Sequence, residues 1–193
     1  MAGIGHNQGP ELGFRTTWRR HCWTKARRDL LPNLPIEVLR GRVRRAREIG
    51  LDYKTYATVR ASSGRDIVAY LFSTNALRLF RQAHTLAADR VERLSAIKDM
   101  QRHALVIAPL DPQTVLAEIR GCHGPILDTA VQAPNIHASW SDMAVAMDAL
   151  RPTNLPADAI LLIGDTNVER DWSVAGRHAG YLDAAQFFTT ASP

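Results

Sequence analysis

Aspartates lie at the ends of several of the apolar segments that the sequence predicts to be β-strands. In "LLIGDTNVERDW", Asp165 directly follows an apolar run and precedes Thr166 and Asn167, and we place Asp111 and Asp128 at the ends of two further runs. A carboxylate at a strand end, with hydroxyl and amide groups at the next helix start, can hold a metal-bound phosphate or an alcohol. These aspartates are the candidate catalytic residues of a small α/β hydrolase or phosphate-ester enzyme.

The same residues also suit a structural role. A short connection between a strand and a helix needs a turn, which Gly164 supplies, and a helix cap, which Asp165 or Thr166 supplies. The sequence contains no glycine-rich dinucleotide or P-loop motif and no G-x-S-x-G turn. Its histidines and cysteines show no paired metal-ligand spacing. We therefore favour the cap, expect no metal or cofactor, and keep the enzyme as an alternative.

A second group of residues suits phosphate binding. The stretch "RGRVRRAR" holds five arginines in eight residues, namely Arg40, Arg42, Arg44, Arg45 and Arg47. On a helix, which turns about 100° per residue, Arg40, Arg44 and Arg47 lie on one side of an apolar stripe and Arg42 and Arg45 on the other. Arginines in these places either contact phosphates or extend their stems over a packed interface. The sequence leaves both open.

The surrounding residues predict a helix-turn-helix-like arrangement. A helix that starts near Pro35 or Ile36 stops at Gly50, and Asp52 is placed to cap a second helix, "YKTYATVRA". In a helix-turn-helix the leading residues of the second helix face the bases. The candidate contacts here are Tyr53, Lys54 and Thr55, with Arg60 extending the basic surface. The alternative is that the tyrosines pack on an adjacent sheet.

Charge is distributed unevenly along the chain. Residues 1–65 carry 14 Lys/Arg against 5 Asp/Glu, a balance of +9, whereas residues 66–193 have a balance of −4. A basic segment of this kind favours an acidic partner. In "FRTTWRRHCWTKARR", Trp18 lies on a helical stripe and Trp23 lies off it, so Trp23 is the better candidate for external contact, here with nucleic acid.

The N-terminal "GIGHNQGP" resembles a short tag found in uncharacterised proteins of bacterial chromosomes and mobile elements. The resemblance covers those eight residues, and it implies a lineage and a docking peptide but no activity. A further alternative follows from it, namely a protein-interaction factor that docks on a protein partner through its N-terminal tail and helix.

Beyond Gly64, apolar strands alternate with capped helices, as in "DIVAYLFS", "HALVIAP" and "AILLIGD". This pattern predicts an α/β domain with a small, parallel, doubly wound sheet of four or five strands. We expect a long helix over residues 75–100 and a short last strand in "AAQFFTT". The predicted organisation is a flexible tail (1–13), a basic helical region (14–64) and an α/β domain (65–193).

These patterns together predict a nucleic-acid-binding protein, with DNA favoured over RNA. No apolar run reaches the ~18–20 residues of a membrane span. The start of the chain lacks the features of a secretory signal, and Cys22 and Cys122 lie far apart. We therefore expect a cytoplasmic protein with no membrane partner.

Overall fold

A computed structural model describes residues 34–81, 83, 85–152 and 155–189 of the chain. The compact unit that contains the sheet begins at Arg40, within the helix Ile36–Glu48. Across the described residues, no helix combines the length and the apolar character needed to cross a membrane.

The described elements are short and alternate along the chain. The helices are α1 (Ile36–Glu48), α2 (Tyr53–Ser63), α3 (Ala88–Ala96), α4 (Pro112–His123), α5 (Trp140–Leu150), α6 (Asn167–Ala175) and α7 (Ala184–Thr189). The strands are β1 (Ala69–Ser73), β2 (Gln101–Val106), β3 (Thr129–Gln132), β4 (Ile160–Gly164) and β5 (Gly180–Asp183). A single 3₁₀ turn, Ala157–Ala159, leads into β4.

The five strands form one parallel sheet in the order β3-β2-β1-β4-β5. In the central strand, Ala69 lies opposite Gln101 on one side and Ile160 on the other. Strands β1 and β4 are buried along their whole length, which explains their continuous apolar sequences. The predicted α/β fold with a small parallel sheet is confirmed.

Helices cover both faces of the sheet. Tyr70 and Phe72 of β1 point to the first face, where they share a core with buried residues of α1, α2, α3, α4 and α7. Leu71 points to the second face and shares a smaller core with Met147 of α5 and Trp172 of α6. The alternation along β1 therefore assigns each helix to one face.

Two consecutive helices, with the predicted turn and cap between them, lie at the sequence positions expected. Gly50 adopts a left-handed conformation (φ +74°) after α1. The Asp52 side chain accepts a hydrogen bond from the backbone N–H of Thr55 at 3.0 Å and caps α2. Ala46 and Tyr56 are fully buried in the core of the first face, so both helices pack on the sheet. The domain boundaries proposed at residues 13 and 64 stay a prediction.

The long helix expected over residues 75–100 is wrong, because among the described residues of that segment only those of α3 are helical. After β1 the Ser73 hydroxyl accepts a hydrogen bond from Ala76 N at 3.0 Å, and Arg78 takes a left-handed conformation. Leu77 and Leu79 are buried in this irregular segment. Local hydrogen bonding by serine and burial of the leucines outweigh the helical periodicity.

The last strand is also displaced from its expected place. The described part of the segment "AAQFFTT" forms helix α7 rather than a strand, and the last strand, β5, lies directly before it. Ala184, Phe187 and Phe188 follow helical spacing and meet the core of the first face. Phe187 makes edge-on ring contacts with Tyr70 and Phe72, at 5.4 and 5.6 Å between centroids.

Candidate nucleic-acid interface and the strand-end carboxylates

The C-terminal end of α1 is fixed to the rest of the fold by backbone carbonyls. Three successive carbonyls accept hydrogen bonds from three other segments: Glu48 O from Lys98 N at 2.9 Å, Ile49 O from the Tyr70 hydroxyl at 2.7 Å, and Gly50 O from Arg93 Nη2 at 2.6 Å. The last carbonyls of a helix lack partners within the helix itself. These donors satisfy them and hold the turn between α1 and α2 in one position.

Asp66, just before β1, links the two helices by charge. Its carboxylate accepts a hydrogen bond from the Tyr56 hydroxyl at 2.8 Å and lies 3.2 Å from Arg60 Nη1 and 3.4 Å from Arg45 Nε. Arg45 also donates through Nη2 to the carbonyls of Ile67 and Asp99. These contacts make Arg45 and Arg60, both predicted phosphate contacts, structural partners of the sheet.

Burial affects the two tyrosines that anchor this region. Burial raises the pKa of Tyr56, and the neighbouring Asp66 carboxylate raises it further. Burial likewise raises the pKa of Tyr70 well above its ordinary value. Both phenols therefore stay protonated in neutral solution and keep donating their hydrogen bonds.

Three other arginines of α1 face outward. Arg40, Arg44 and Arg47 are exposed, and we call these three residues the arginine face. The Arg44 side chain is 80% exposed, and its Nε lies 3.7 Å from Glu48 Oε1. A surface ion pair of this length contributes little stability and is readily exchanged. Arg42 is half-buried.

The start of α2 is only partly accessible. Tyr53 is half-buried against the core of the first face, and the Thr55 hydroxyl accepts a hydrogen bond from Gln186 Nε2 of α7 at 3.2 Å. Lys54 is exposed. In the first turn of α2, Lys54 is therefore exposed to solvent, whereas Tyr53 and Thr55 contact the rest of the protein. Trp23, the remaining predicted contact, lies outside the described residues.

The three candidate catalytic aspartates do not lie together at one end of the strands. Asp111 and Asp165 follow the carboxyl ends of β2 and β4. Asp128 precedes β3, and its Oδ2 accepts a hydrogen bond from Arg102 N at 2.6 Å, near the amino end of β2. Placing Asp128 at a carboxyl strand end was wrong because the apolar residues before it are buried in a loop, and the strand starts only after it.

Asp111 and Thr166 serve as helix caps. Asp111 Oδ2 accepts hydrogen bonds from the backbone N–H and the hydroxyl of Thr114, both at 2.8 Å, and these bonds lower the pKa of Asp111. At α6 the cap is Thr166, and Glu169 reciprocates by accepting from Thr166 N at 2.8 Å. Of the two caps considered for α6, the structure selects Thr166.

Asp165 instead pairs with a residue that the sequence did not indicate. Its Oδ2 lies 3.2 Å from Arg78 Nη1. Beneath this pair, the fully buried Glu169 accepts hydrogen bonds from Asn75 Nδ2 and from Asp165 N, at 3.0 and 2.6 Å. The T-x-x-E spacing of Thr166 and Glu169 is a readable signal for this capping box. In the part of the chain that the structure describes, no three acidic, histidine or cysteine side chains gather to hold a metal ion.

Comparison of the chain with protein-family models, with curated proteins and with solved structures finds no significant match.

Proposed function

We propose that the protein binds nucleic acid through its phosphates, using the arginine face of α1. The observation that carries the proposal is that Arg44 and Arg47 extend into solvent from a helix that is buried at Ala46 and is followed directly by the buried Ile49. A rigid helix that presents guanidinium groups about one turn apart suits successive phosphate oxygens.

The anchoring of α1 supports this proposal. Hydrogen bonds from three other segments hold its last carbonyls, and Arg45 fixes its inner side to the approach to β1. The outward arginines are therefore carried on a preorganised support, which lowers the entropy lost when they bind.

The start of α2 favours phosphate contact over base reading. In a base-reading helix the first side chains project freely into the major groove. Here Tyr53 and Thr55 contact the fold, which leaves Lys54 as the exposed side chain among the three. We therefore expect weak dependence on base sequence, with DNA as the first substrate to test.

The two other predicted functions have less support. The enzyme proposal required three carboxylates in one cleft. Asp128 lies at the amino end of the strands, whereas Asp111 and Asp165 lie at the carboxyl end. The protein-interaction proposal depends on the N-terminal tail, which lies outside the described residues.

A fluorescence titration of the full chain with labelled duplex DNA and duplex RNA at several salt concentrations tests the proposal. Each neutralised phosphate on duplex DNA contributes a log–log salt slope of about −0.9. The three arginines of the arginine face therefore predict a slope of roughly −3 on duplex DNA. An affinity that does not change with salt, or no binding at low salt, would rule the proposal out.

A further inference from the structure

A cavity of about 520 Å³ opens between α5, the 3₁₀ turn before β4 and the end of α6. Known ligand pockets have volumes of roughly 300–1,000 Å³. Its walls include the side chains of Val145, Ala157 and Ala175, and its polar groups come from Asp148, Arg151 and Arg177. Helices α5 and α6 cover the second face of the sheet, so this cavity lies on the other side from α2 and the core that α1 joins.

The charged groups of the cavity are only partly compensated. Arg151 Nη2 lies 3.0 Å from Asp148 Oδ1, and Nη1 donates to the carbonyl of Leu155 at 2.8 Å. The Nε of Arg151 is buried and has no hydrogen-bond partner in the described structure. Two guanidinium groups therefore face one carboxylate, which leaves an excess positive charge beside apolar walls.

Arg177 is held in a conformation that arginine rarely adopts. Helix α6 ends with hydrogen bonds from Arg177 N to Val174 O at 3.1 Å and from His178 N to Ser173 O at 3.0 Å. The residue between these bonds is left-handed, with φ +53° at Arg177, where glycine or asparagine is usual. A positively charged side chain anywhere in the last turn of a helix interacts favourably with the helix dipole, so the dipole alone does not explain an arginine in this conformation. Backbone strain of this kind is concentrated at functional sites.

We propose that this cavity binds a small molecule that carries a phosphate or carboxylate group on an apolar body. The exposed Arg177, whose guanidinium has no hydrogen-bond or ion-pair partner among the described residues, and Arg151 hold the anionic group. Val145, Ala157 and Ala175 contact the apolar part. The site uses none of the residues of the arginine face, so it is independent of the proposed nucleic-acid function.

Calorimetric titration of the full chain with phenyl phosphate and benzoate, and with uncharged benzyl alcohol as the comparison, tests the proposal. The informative variant is Arg177→Gly, because it removes the whole side chain with its guanidinium and places glycine, which suits the left-handed conformation, at this position. We expect both anions to bind and benzyl alcohol not to bind. Arg177→Gly should weaken binding by about tenfold or more, without lowering the melting temperature appreciably.

Arg78→Gly is the matched control, since Arg78 is also a left-handed arginine (φ +59°) but follows the opposite end of the sheet. It should bind phenyl phosphate as the wild type does. Failure of the wild type to bind either anion, or unchanged binding by Arg177→Gly, would overturn the proposal. Loss of duplex DNA binding in Arg177→Gly, with no binding of the small anions, would assign the cavity to nucleic acid instead and equally overturn it.

Discussion

The hydroxyl of Tyr70 donates a hydrogen bond to the carbonyl of Ile49 across 2.7 Å, joining β1 to the end of α1. Both residues are fully buried, so no water can replace the donor if it is removed. Tyr70→Phe should therefore lower the free energy of unfolding by about 1–3 kcal/mol, measured by urea denaturation.

Tyr53→Phe is the matched control for this substitution. Tyr53 is half-buried against the same core, and its hydroxyl has no hydrogen-bond partner in the described part of the chain. Its loss should change stability by no more than about 0.5 kcal/mol. Equal effects of the two substitutions would contradict the role assigned to the Tyr70 hydroxyl.

Asp66→Asn should destabilise the packing of α1 and α2 on the sheet. The substitution removes the negative charge beside Arg60 and beside Arg45, whose side chain is only 19% exposed. We expect a loss of about 1–2 kcal/mol in low salt, shown by thermal or urea unfolding. Asp158→Asn breaks the exposed pair with Arg65 and should cost no more than about 0.5 kcal/mol. A loss as small at Asp66 would show that the carboxylate does not link the helices.

Gly164→Ala tests the close packing around the capping box of α6. A Cβ at this position would lie 2.7 Å from Tyr181 Cε2 and 2.8 Å from Glu169 Oε2. The crowding should destabilise the protein by about 1–3 kcal/mol. Gly121→Ala lies in α4 with nothing within 4 Å of the new Cβ, so it should stabilise by about 0.5–1 kcal/mol. Differential scanning calorimetry of both variants checks the difference in sign.

Stability should fall in mildly acidic solution because of His178. Burial, followed by the nearby positive charge of Arg151, lowers the pKa of His178 from 6.5 to about 4. In the unfolded chain the His178 imidazole is therefore protonated near pH 6.5, whereas in the folded chain it stays neutral until the pH falls to about 4. The histidine therefore favours the folded state above pH 6.5, and this contribution is lost as the pH falls towards about 4.

The loss from His178 amounts to no more than about 3 kcal/mol. Burial also lowers the pKa of His103, which lines a small cavity together with His178, so His103 acts in the same direction. Urea unfolding from pH 7 to pH 4 should show a shallower decline for His178→Gln than for the wild type. An identical decline would mean that His178 does not titrate between these limits.

The sequence predicted those parts of the fold that depend on neighbouring residues. Gly50 and Asp52 define the turn between α1 and α2 through backbone conformation and capping, and both were read correctly. The apolar runs of β1 and β4 followed from burial on both faces. Helix α7 was missed because Ala184, Phe187 and Phe188 make a helical face only one turn and a half long.

The distant contacts could not be predicted in the same way. Arg45 and Arg60 seemed equivalent to the other arginines until Asp66, Ile67 and Asp99 were placed beside them by the folding of the sheet. Likewise, the pairing of Arg78 with Asp165 depends on β1 lying next to β4, which the order of segments along the chain does not specify.

The salt dependence of duplex DNA binding by Arg44→Gln/Arg47→Gln tests the central claim most directly. Both residues are exposed, so the fold should be unaffected, and Arg45 is left in place. A control with the same loss of charge, Arg78→Gln/Arg170→Gln, changes two exposed arginines outside α1. If the arginine face contacts phosphates, the double variant should flatten the log–log slope by about 2, and the control should keep the wild-type slope. Equal slopes for the wild type and both variants would contradict the proposal that α1 binds the phosphate backbone.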